Sequence, residues 1–256
     1  MSAPSDDKIV HAPHDPLTEY YADENARSGF LRGIFDRTAP HYDRIESILA
    51  FGSGPWYRRQ ALLRAGLSSG MRIVDVGVGT GLVAREAVQV TGDARLVVGV
   101  DPSPGMMANA DLPEGVQLVE GRAESIPFPD ASFDMLSMGY ALRHISDLSV
   151  AFHEFFRVLK PGGRLCMLEI TRPGHIWSRA LMKVYMRGIV PVLARAAGGG
   201  AETSRLWRYY WDTIDACAPH EQVVATLKEA GFSDARRHIA HAPLPMLAEY
   251  QAVKPA

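Results

Sequence analysis

The sequence predicts an α/β fold: one Rossmann-like, mostly parallel sheet of seven strands with helices on both faces. Two observations lead to this prediction. Between residues 71 and 170, short uninterrupted apolar runs alternate with helical segments, which is typical of a parallel sheet that is buried on both faces. A glycine-rich turn, "VDVGVGTG" at 74–81, directly follows the first apolar run, and such sheets bind ligands at the carboxyl ends of their strands.

The predicted elements follow one another in a regular order. Glycine and proline mark most boundaries: "KPGG" at 160–163 ends the helix before the fifth strand, because proline cannot continue a helix. One more helix at 221–232 and two strands in the tail complete the sheet. The five central strands are expected at 72–76, 95–101, 116–121, 133–142 and 164–170, and the helices between them include 81–90 and 147–159.

Three segments of the chain are expected to differ in organisation. Residues 1–18 are polar and contain prolines, so we expect a disordered N-terminus. Residues 19–66 are helical and rich in aromatic side chains, and Pro40 is predicted to divide them into shorter helices. We interpret this segment as a lid over a ligand site, with plain core helices as the alternative. The main domain is 67–256, with a helical cap insertion at 172–220.

Composition limits the functional classes. The chain has 256 residues, of which 47% are hydrophobic and 22% are charged, with a formal net charge of -2. This balance gives no electrostatic basis for nucleic-acid binding, which usually requires a strongly basic surface. The two cysteines are far apart in the sequence and the nine histidines are not clustered, so neither a disulfide framework nor a metal site is predicted.

The expected location is the cytoplasm. The N-terminus lacks the charged-then-apolar pattern of a secretion signal, and no apolar run approaches the roughly 20 residues of a membrane span. Cys166 lies in an apolar run and is expected to be a small buried hydrophobic residue of a reducing compartment. The sequence does not determine the oligomeric state, and a homodimer is one option.

The glycine turn and Asp101 together predict the site of a nucleoside cofactor. Gly77, Gly79 and Gly81 leave the backbone N–H groups open to close approach by a ligand. Asp101 ends the second strand, where a carboxylate accepts hydrogen bonds from a ribose diol in NAD enzymes and in methyltransferases alike. An ordinary strand–helix turn is the alternative to a ligand site.

Two features favour S-adenosylmethionine over a dinucleotide. The glycines follow a G-x-G-x-G spacing, and Leu82 and Val83 occupy the region where G-x-G-x-x-G would place its third glycine. Asp75 lies at the turn, where a carboxylate suits an ammonium group and repels a pyrophosphate. We therefore predict S-adenosylmethionine as the cofactor, with an NAD-dependent oxidoreductase as the alternative.

With its later motifs added, the chain resembles the class I methyltransferases, and within them the quinone C-methyltransferases of ubiquinone and menaquinone biosynthesis, the UbiE/Coq5 family. The resemblance extends from residue 30 to residue 232, and its most family-specific parts are the N-terminal F-x-x-x-A-x-x-Y-D pattern and "LRHISD". The matching motifs are "IFDRTAPHYDRI" (34–45), "AFGSGPWYRR" (50–59), "VDVGVGTG", "GVDPSPGMM" (99–107), "GRAESIPFPDASFD" (121–134), "YALRHISD" (140–147), "EFFRVLKPGG" (154–163) and "YYWDTIDACAPHEQVVATLKEAGF" (209–232).

The resemblance implies residue roles and completes the expected fold. It implies an N-terminal helical lid, a helical cap and a last strand that is antiparallel to the others. Asp75 and the three glycines would line the methionine part of the cofactor, and Asp101 would hold the ribose. Met106 would pack near the adenine, Ala123 would contact the adenine edge through its backbone, and Tyr140 belongs to the same cofactor set.

Three positions depart from the family pattern. Arg122 stands where the family usually has an aspartate that hydrogen-bonds the adenine amino group. Arginine has no acceptor, so this hydrogen bond is either supplied by another residue, for which Glu124 is the candidate, or absent. Glu46 and His144 stand where the family usually has asparagine. The departures keep two alternatives open: an O- or N-methyltransferase of specialised metabolism, and a partner subunit that binds the cofactor without catalysis.

His144 and Arg143 are the candidate catalytic residues. Methylation of a ring carbon requires an electron-rich phenolate and later removal of the ring proton, for which a base of near-neutral pKa is suited. We assign the base to His144 and stabilisation of the phenolate to Arg143; alternatively, His144 only caps a loop. The expected reaction is S-adenosylmethionine-dependent C-methylation of a small aromatic acceptor of the quinol type.

The stretch from Ile176 to Ala197 is interpreted as the roof of the acceptor pocket. It places apolar residues on one side and three basic residues on another. Either it also makes a weak contact with a membrane surface, which would suit an acceptor with a prenyl tail, or it packs on the domain with a solvated basic face. Pro191 is expected to kink or split the helix. The residues expected to line the acceptor pocket are Tyr42, Trp177, Tyr185, Trp207 and Trp211.

Overall fold

A computed structural model describes residues 11–49, 52–195, 200–239 and 246–256 of the chain. Its helices are α1 (Glu24–Leu49), α2 (Gly54–Arg64), α3 (Leu82–Thr91), α4 (Pro104–Ala108), α5 (Leu148–Val158), α6 (Ile176–Val184), α7 (Val190–Ala194), α8 (Gly200–Ala216) and α9 (His220–Glu229). Its strands are β1 (Ile73–Val76), β2 (Val97–Asp101), β3 (Gln117–Glu120), β4 (Phe133–Gly139), β5 (Leu159–Ile170), β6 (Ser233–Ile239) and β7 (Leu247–Val253).

The seven strands of the described residues form one sheet in the order β3-β2-β1-β4-β5-β7-β6. β1 pairs in parallel with both β2 and β4, whereas β7 is antiparallel to β5 and β6. The strand order reverses between β1 and β4, so a crevice opens at the carboxyl ends of these two strands. The predicted Rossmann-like sheet with an antiparallel last strand is confirmed.

Helices cover both faces of the sheet, which explains the uninterrupted apolar runs. Every residue of β1 and β2 is buried. On one face, Phe152 and Phe155 of α5 pack in a cluster with residues of α9; on the other face, Ala84 and Ala87 of α3 pack with residues of α2. Cys166 is fully buried in the second cluster, as predicted.

Helix α1 differs from the prediction because it continues without a break through Pro40. A proline inside a helix removes one N–H donor and leaves the carbonyl four residues earlier without its helical partner. Tertiary packing compensates for this loss, since Ile34, Ala39 and Ile45 of the same helix are buried. One long helix, instead of several short ones, therefore extends across the crevice.

Residues 11–18 pack against the domain, although the composition predicts disorder there; residues 1–10 lie outside the described residues. The carbonyl of His11 accepts a hydrogen bond from the Leu148 N–H at 2.9 Å. His14 is buried, and its Nε2 lies 3.2 Å from the carbonyl oxygen of Arg143. Composition misses this arrangement because a short polar segment can satisfy its polar groups on neighbouring elements instead of in its own secondary structure.

The helical insertion is split near Pro191, as predicted. α6 ends at Val184, a π-helical turn covers Tyr185–Ile189, and α7 begins at Val190 with the proline in its first turn. Proline is tolerated there because the first turn of a helix needs no N–H from it. No helix in the described ranges is both long and apolar enough to cross a membrane.

Candidate active site

The glycine turn after β1 adopts backbone conformations that favour glycine. Gly77, Gly79 and Gly81 have φ values of 72°, 54° and 86°, in the left-handed region that L-residues with side chains rarely adopt. A Cβ on Gly77 would lie 2.8 Å from the Cβ of Ala141, and one on Gly79 would lie 3.1 Å from the Cε of Met106. The missing side chains therefore leave space at the crevice as well as conformational freedom.

Asp101 organises this turn from the end of β2. One carboxylate oxygen accepts a hydrogen bond from the Gly79 N–H and the other from the Ser103 N–H, both at 2.8 Å. Burial raises the pKa of Asp101 to about 6, against the opposing effect of these two hydrogen bonds. The carboxylate thus lies at the cavity with lone pairs available beyond the two backbone bonds.

Asp75 is almost completely buried near the end of β1. The Ser137 hydroxyl donates to its Oδ1 at 2.8 Å. Burial raises the pKa of Asp75 to about 7, and the neighbouring Asp101 contributes in the same direction. A buried carboxylate with so few donors is stabilised by a cationic group brought against it.

A cavity of about 390 Å³ lies at the carboxyl ends of β1, β2, β3 and β4, and α1 and α8 close its outer side. Most of the predicted cofactor residues line it. Gly81 does not, because it lies at the N-terminus of α3 with Leu112 beside it. The predicted cofactor residues that line the cavity are Asp75, Gly77, Gly79, Asp101, Met106, Ala123 and Tyr140.

Helix α1 is held over this cavity by two carboxylates. Asp36 accepts hydrogen bonds from the Ser103 hydroxyl and, at 2.9 Å, from the Gly105 N–H. Asp43 accepts one from the Thr80 hydroxyl of the glycine turn. These contacts connect the helix to the loops after both β1 and β2, so α1 occupies the position expected of a lid.

Arg122, which departs from the family pattern, cannot accept a hydrogen bond from an adenine amino group, because a guanidinium has only donors. Its Nε lies 3.5 Å from a carboxylate oxygen of Glu124, and its Nη2 lies 3.3 Å from the Ser146 hydroxyl. Glu124 lines the cavity beside Ala123 and also accepts a hydrogen bond from the Ser146 N–H at 2.7 Å. An acceptor is therefore present at this edge of the cavity although the usual aspartate is absent.

Aromatic side chains and one imidazole form the end of the cavity between α1 and β4. The hydroxyls of Tyr42 and Tyr210 are hydrogen-bonded at 3.0 Å, and burial raises the pKa of both. His144 lines the same end, with Phe35 edge-on to its ring at 5.3 Å between centroids and Tyr209 stacked at 5.7 Å. Its Nδ1 lies 3.5 Å from the Tyr209 hydroxyl, and its buried Nε2 has no partner among the described residues.

The charge state of His144 follows from its surroundings. Burial, and then the positive charges of Arg143 and Arg27, hold the pKa of His144 well below its usual value. The ring is therefore neutral at neutral pH and presents a lone pair. The imidazole is therefore a weaker base than the near-neutral one we expected.

Arg143 does not line the cavity, so the expected direct contact with an acceptor has to be corrected. Its guanidinium forms a fully buried ion pair with Glu169 of β5 and lies 4.7 Å from the centroid of the Tyr210 ring. Tyr210 itself lines the cavity. A buried arginine takes a carboxylate partner because an unpaired buried charge is costly, and this pairing keeps Arg143 behind the tyrosine.

Only one of the residues expected to line the acceptor pocket, Tyr42, lines the cavity. Trp177 points outward and is 84% exposed, which contradicts a pocket role. Trp207 and Trp211 are buried in the cluster between α1, α7 and α8, and Tyr185 packs at its edge. Their aromatic surface stabilises the helical cap from behind instead of facing a ligand.

The cavity residues that were absent from the predicted site include Tyr210, Arg58 and Glu46. Tyr210 lies between the predicted pocket residues Trp207 and Trp211 in the sequence of α8. It differs from them in the side of the helix on which it lies. Arg58 on α2 and Glu46 on α1 form an ion pair at the cavity wall. Glu46 had a signal in the sequence, since it replaces a residue that is usually asparagine, but nothing indicated its partner.

The donor set fits S-adenosylmethionine. The glycine turn provides a side-chain-free surface, Asp75 provides a buried carboxylate for an ammonium, and Asp101 provides a carboxylate for a diol. The Nε of buried Arg58 has no partner in the part of the chain that the structure describes, which leaves a donor for a further polar group of a ligand. A pyrophosphate at the glycine turn would be repelled by the carboxylates of Asp75 and Asp101.

Comparisons with known proteins agree with this geometry. The sequence profile of the ubiE/COQ5 methyltransferase family matches residues 22–243. The ubiquinone/menaquinone biosynthesis C-methyltransferase UbiE of Geobacter sulfurreducens is 33% identical over 211 residues, covering 80% of this chain and 81% of that protein. The demethylmenaquinone methyltransferase of Roseiflexus castenholzii is 34% identical over 212 residues, covering 81% and 87% respectively.

Solved structures show the same fold. A methyltransferase of Thermotoga maritima that depends on S-adenosylmethionine has a TM-score of 0.59 at 22% identity, covering 87% of this chain and 98% of that one. Phosphoethanolamine N-methyltransferase 2 of Haemonchus contortus, solved with S-adenosylmethionine, has a TM-score of 0.55 at 21% identity, covering 78% and 53%. The chain therefore belongs to the ubiE/COQ5 methyltransferase family, and it is a methyltransferase that depends on S-adenosylmethionine.

Proposed function

We propose that the cavity binds S-adenosylmethionine with its ammonium group at Asp75 and its ribose diol at Asp101, while Met106 and Ala123 contact the adenine. Glu124 takes the place of the usual aspartate at the adenine amino group. The burial of the two aspartates at the glycine turn supports this orientation, because their carboxylates face the same cavity from adjacent strands. When bound, the cofactor supplies an electrophilic methyl group.

The affinity for S-adenosylhomocysteine is expected to rise as the pH increases from about 6 to about 8. The ammonium pairs with ionised Asp75 only, so affinity falls as the pH drops through the pKa of about 7. Protonation of Asp101, whose pKa is about 6, lowers the affinity further at more acidic pH. Titration calorimetry across this range checks the profile, and Asp75→Asn should remove the step near pH 7. A wild-type profile that is flat from pH 6 to 8 would contradict the assignment.

The acceptor that this site supports best is the ring carbon of a quinol-type aromatic molecule. The observation that carries the proposal is the buried, unpartnered Nε2 atom of His144, which lies in an aromatic-walled end of the cavity with the hydroxyl pair of Tyr42 and Tyr210. Flat aromatic walls suit a flat ring. Both curated relatives described above take their names from quinone biosynthesis or a quinone substrate.

The residues at this end divide the chemistry between them. Tyr42 and Tyr210 have raised pKa values and remain protonated, so the pair has one O–H free to donate to the acceptor oxygen that carries negative charge. As the new carbon–carbon bond forms and the carbon–sulfur bond breaks, the ring proton becomes acidic, and Nε2 of His144 accepts it. Helices α1 and α8 exclude water and hold the acceptor in line with the methyl group.

The test is an assay with purified protein, S-adenosylmethionine and a reduced short-chain demethylquinol. Mass spectrometry should detect a product heavier by a single CH2 unit, because a methyl group replaces a hydrogen, and NMR should locate that methyl on a ring carbon. A methyl on oxygen would favour an O-methyltransferase instead. No methylated product, under conditions in which calorimetry shows the cofactor bound, would overturn the quinol assignment.

We also infer that the outer face of α6 and α7 rests on an anionic lipid surface. Large apolar side chains are exposed along it although the opposite side of the same helices is packed in the core, and an exposed apolar face flanked by basic residues suits a membrane interface. The segment from Arg172 to Arg195 contains five arginines and lysines and no acidic residue; Arg179 and Arg187 pair with acids elsewhere. A second copy of the chain would bring like charges together. The exposed residues are Ile176, Trp177, Leu181, Val184, Ile189, Val192 and Leu193.

Vesicle flotation tests this surface. The protein should float with vesicles that contain phosphatidylglycerol and much less with neutral phosphatidylcholine vesicles. Trp177→Ser combined with Leu181→Ser should weaken binding by at least about tenfold, because two exposed apolar side chains lose their burial. Trp56→Ser is the matched control, since Trp56 is exposed on α2, away from this face. Equal flotation of the double variant, or light scattering that shows a dimer through this face, would contradict the inference.

A further inference from the structure

The methionine part of the cofactor carries two opposite charges, and Asp75 can stabilise only one of them. A carboxylate that leaves water for a closed cavity is costly unless a cation or several N–H groups replace its hydration. The ammonium and the carboxylate of the methionine part are attached to the same carbon. A cation that stabilises the cofactor carboxylate therefore has to lie near Asp75. Asp75 and Asp101 are both acidic, so neither can supply it.

Three cationic side chains line the cavity within the described residues: Arg32, Arg58 and Arg122. Arg32 lies 3.4 Å from Glu120 at the end of β3, and its side chain is half exposed. Arg122 lies beside Glu124, after β3, and is also half exposed. Both therefore lie toward the outer strand of the sheet, on the ribose and adenine side. Neither is placed to reach a group held at Asp75.

Arg58 lies at the opposite end, near β1 and β4. It is 1% exposed, and its guanidinium carbon lies 5.7 Å from the centroid of the Tyr140 ring, directly after β4. It is close enough to Asp75 for its positive charge to oppose the rise that burial causes in the pKa of that carboxyl. Arg58 is thus the buried cation at the end of the cavity where the amino-acid part of the cofactor is expected.

The surroundings of Arg58 leave part of the guanidinium unused. Its Nη2 donates to Oε1 of Glu46 on the lid helix, whereas its Nε has no partner among the residues that the structure describes. Gly54, at the start of α2, provides the space: a Cβ there would lie 2.5 Å from Nη1 of Arg58. A guanidinium has five N–H donors in a planar fork and can bind two carboxylates at once.

We propose that Arg58 binds the carboxylate of the cofactor's methionine part, and that Glu46 is a competing anion that weakens this contact. This inference rests on the proposed position of the ammonium at Asp75. Glu46 compensates the buried arginine when the cavity holds no cofactor. Once the cofactor carboxylate is in place, two anions share one guanidinium, and their repulsion lowers the affinity. Glu46 therefore sets how tightly this chain holds its cofactor.

Binding calorimetry with two ligands tests the proposal. S-adenosylhomocysteine carries both charges, whereas its decarboxylated analogue keeps the amine and lacks the carboxylate. Arg58→Gln should weaken S-adenosylhomocysteine by about 10- to 100-fold and leave the affinity for the decarboxylated analogue nearly unchanged. Glu46→Gln should strengthen S-adenosylhomocysteine several-fold and leave the analogue unchanged. Arg59→Gln is the matched control, because the neighbouring Arg59 pairs with Glu86 of α3 and does not line the cavity.

Each contrary result has one meaning. Equal weakening of both ligands by Arg58→Gln would show that the arginine only maintains the structure, and no weakening of either would place the carboxylate elsewhere; both overturn the proposal. If Arg58→Gln does not fold, the Glu46→Gln variant decides alone, and an unchanged preference between the ligands overturns it. Asp75→Asn distinguishes this failure from failure of the ammonium assignment, because that variant should weaken both ligands.

Discussion

Replacing Asp101 by alanine is expected to lower the affinity for S-adenosylhomocysteine by about 100- to 1,000-fold. The change removes the acceptor proposed for the ribose diol. It also removes the acceptor of the Gly79 and Ser103 N–H groups, so the glycine turn loses the contact that fixes its shape. Hydrogen bonds to a charged group are each worth about 1.5–3 kcal/mol. Loss of the two bonds between Asp101 and the ribose hydroxyls therefore accounts for an effect of this size. Calorimetry measures it directly.

Two companion variants make this result specific. Asp101→Asn keeps one acceptor oxygen and should lose less affinity than the alanine variant. Asp111→Ala should bind as the wild type does, because the Asp111 side chain is 91% exposed and its ion pair is with Arg85 on the surface. Thermal unfolding should show that all three variants fold. If Asp101→Ala folds and binds the ligand with wild-type affinity, the proposed orientation of the cofactor is wrong.

Replacing His144 by alanine is expected to slow turnover by about 100- to 10,000-fold, the usual contribution of a positioned general base. The affinity for S-adenosylhomocysteine should stay nearly unchanged, because the ring lies at the aromatic end of the cavity and not at the glycine turn. Since the pKa of His144 is well below its usual value, kcat should show no loss from its protonation until the pH is clearly below 6.5. Single-turnover kinetics on the quinol substrate measures the step.

The controls for His144 separate catalysis from packing. His153→Ala changes an exposed histidine of α5 whose Nδ1 contacts the Ser149 carbonyl, and it should leave turnover unchanged. His144→Asn restores the residue that the family usually has and keeps a polar side chain in the aromatic cluster. A His144→Ala variant that turns over at the wild-type rate would remove the histidine from the mechanism and leave the tyrosine pair as the remaining candidate.

The sheet and the cofactor end of the cavity could be predicted from the sequence because their signals are local. β1 and β2 are buried on both faces, so their sequences are continuous apolar runs. The left-handed conformations of the turn favour glycine, so the turn is visible as a pattern of letters. Asp75 lies one residue before the end of β1 and Asp101 ends β2, and the parallel pairing of these two strands brings both carboxylates to the same cavity.

The aromatic end could not be predicted in the same way, since it depends on which side of a helix faces inward. Trp207, Tyr210 and Trp211 of α8 are all buried, yet only Tyr210 among them lines the cavity. Neighbouring positions on a helix differ by about 100° in direction. Composition shows that the helix is rich in aromatic residues, but the choice between them depends on how α8 packs against α1.

Contacts between residues that are distant in sequence could not be predicted either. Arg143 looked like a substrate residue because it follows β4, but Glu169 of β5 takes its guanidinium. Glu46 and Arg58 lie on different helices, and their pairing depends on the angle between α1 and α2. Pro40 was expected to end a helix, and the buried residues around it prevent that. In each case tertiary contacts override a local rule.

A crystal structure of the protein with S-adenosylhomocysteine is the most direct measurement of where the nucleoside lies. We expect ligand density beneath α1, with the amino group against Asp75 and the ribose hydroxyls on Asp101. Density for the ligand at any other place on the protein, with the space beside the three glycines filled only by solvent, would contradict the account.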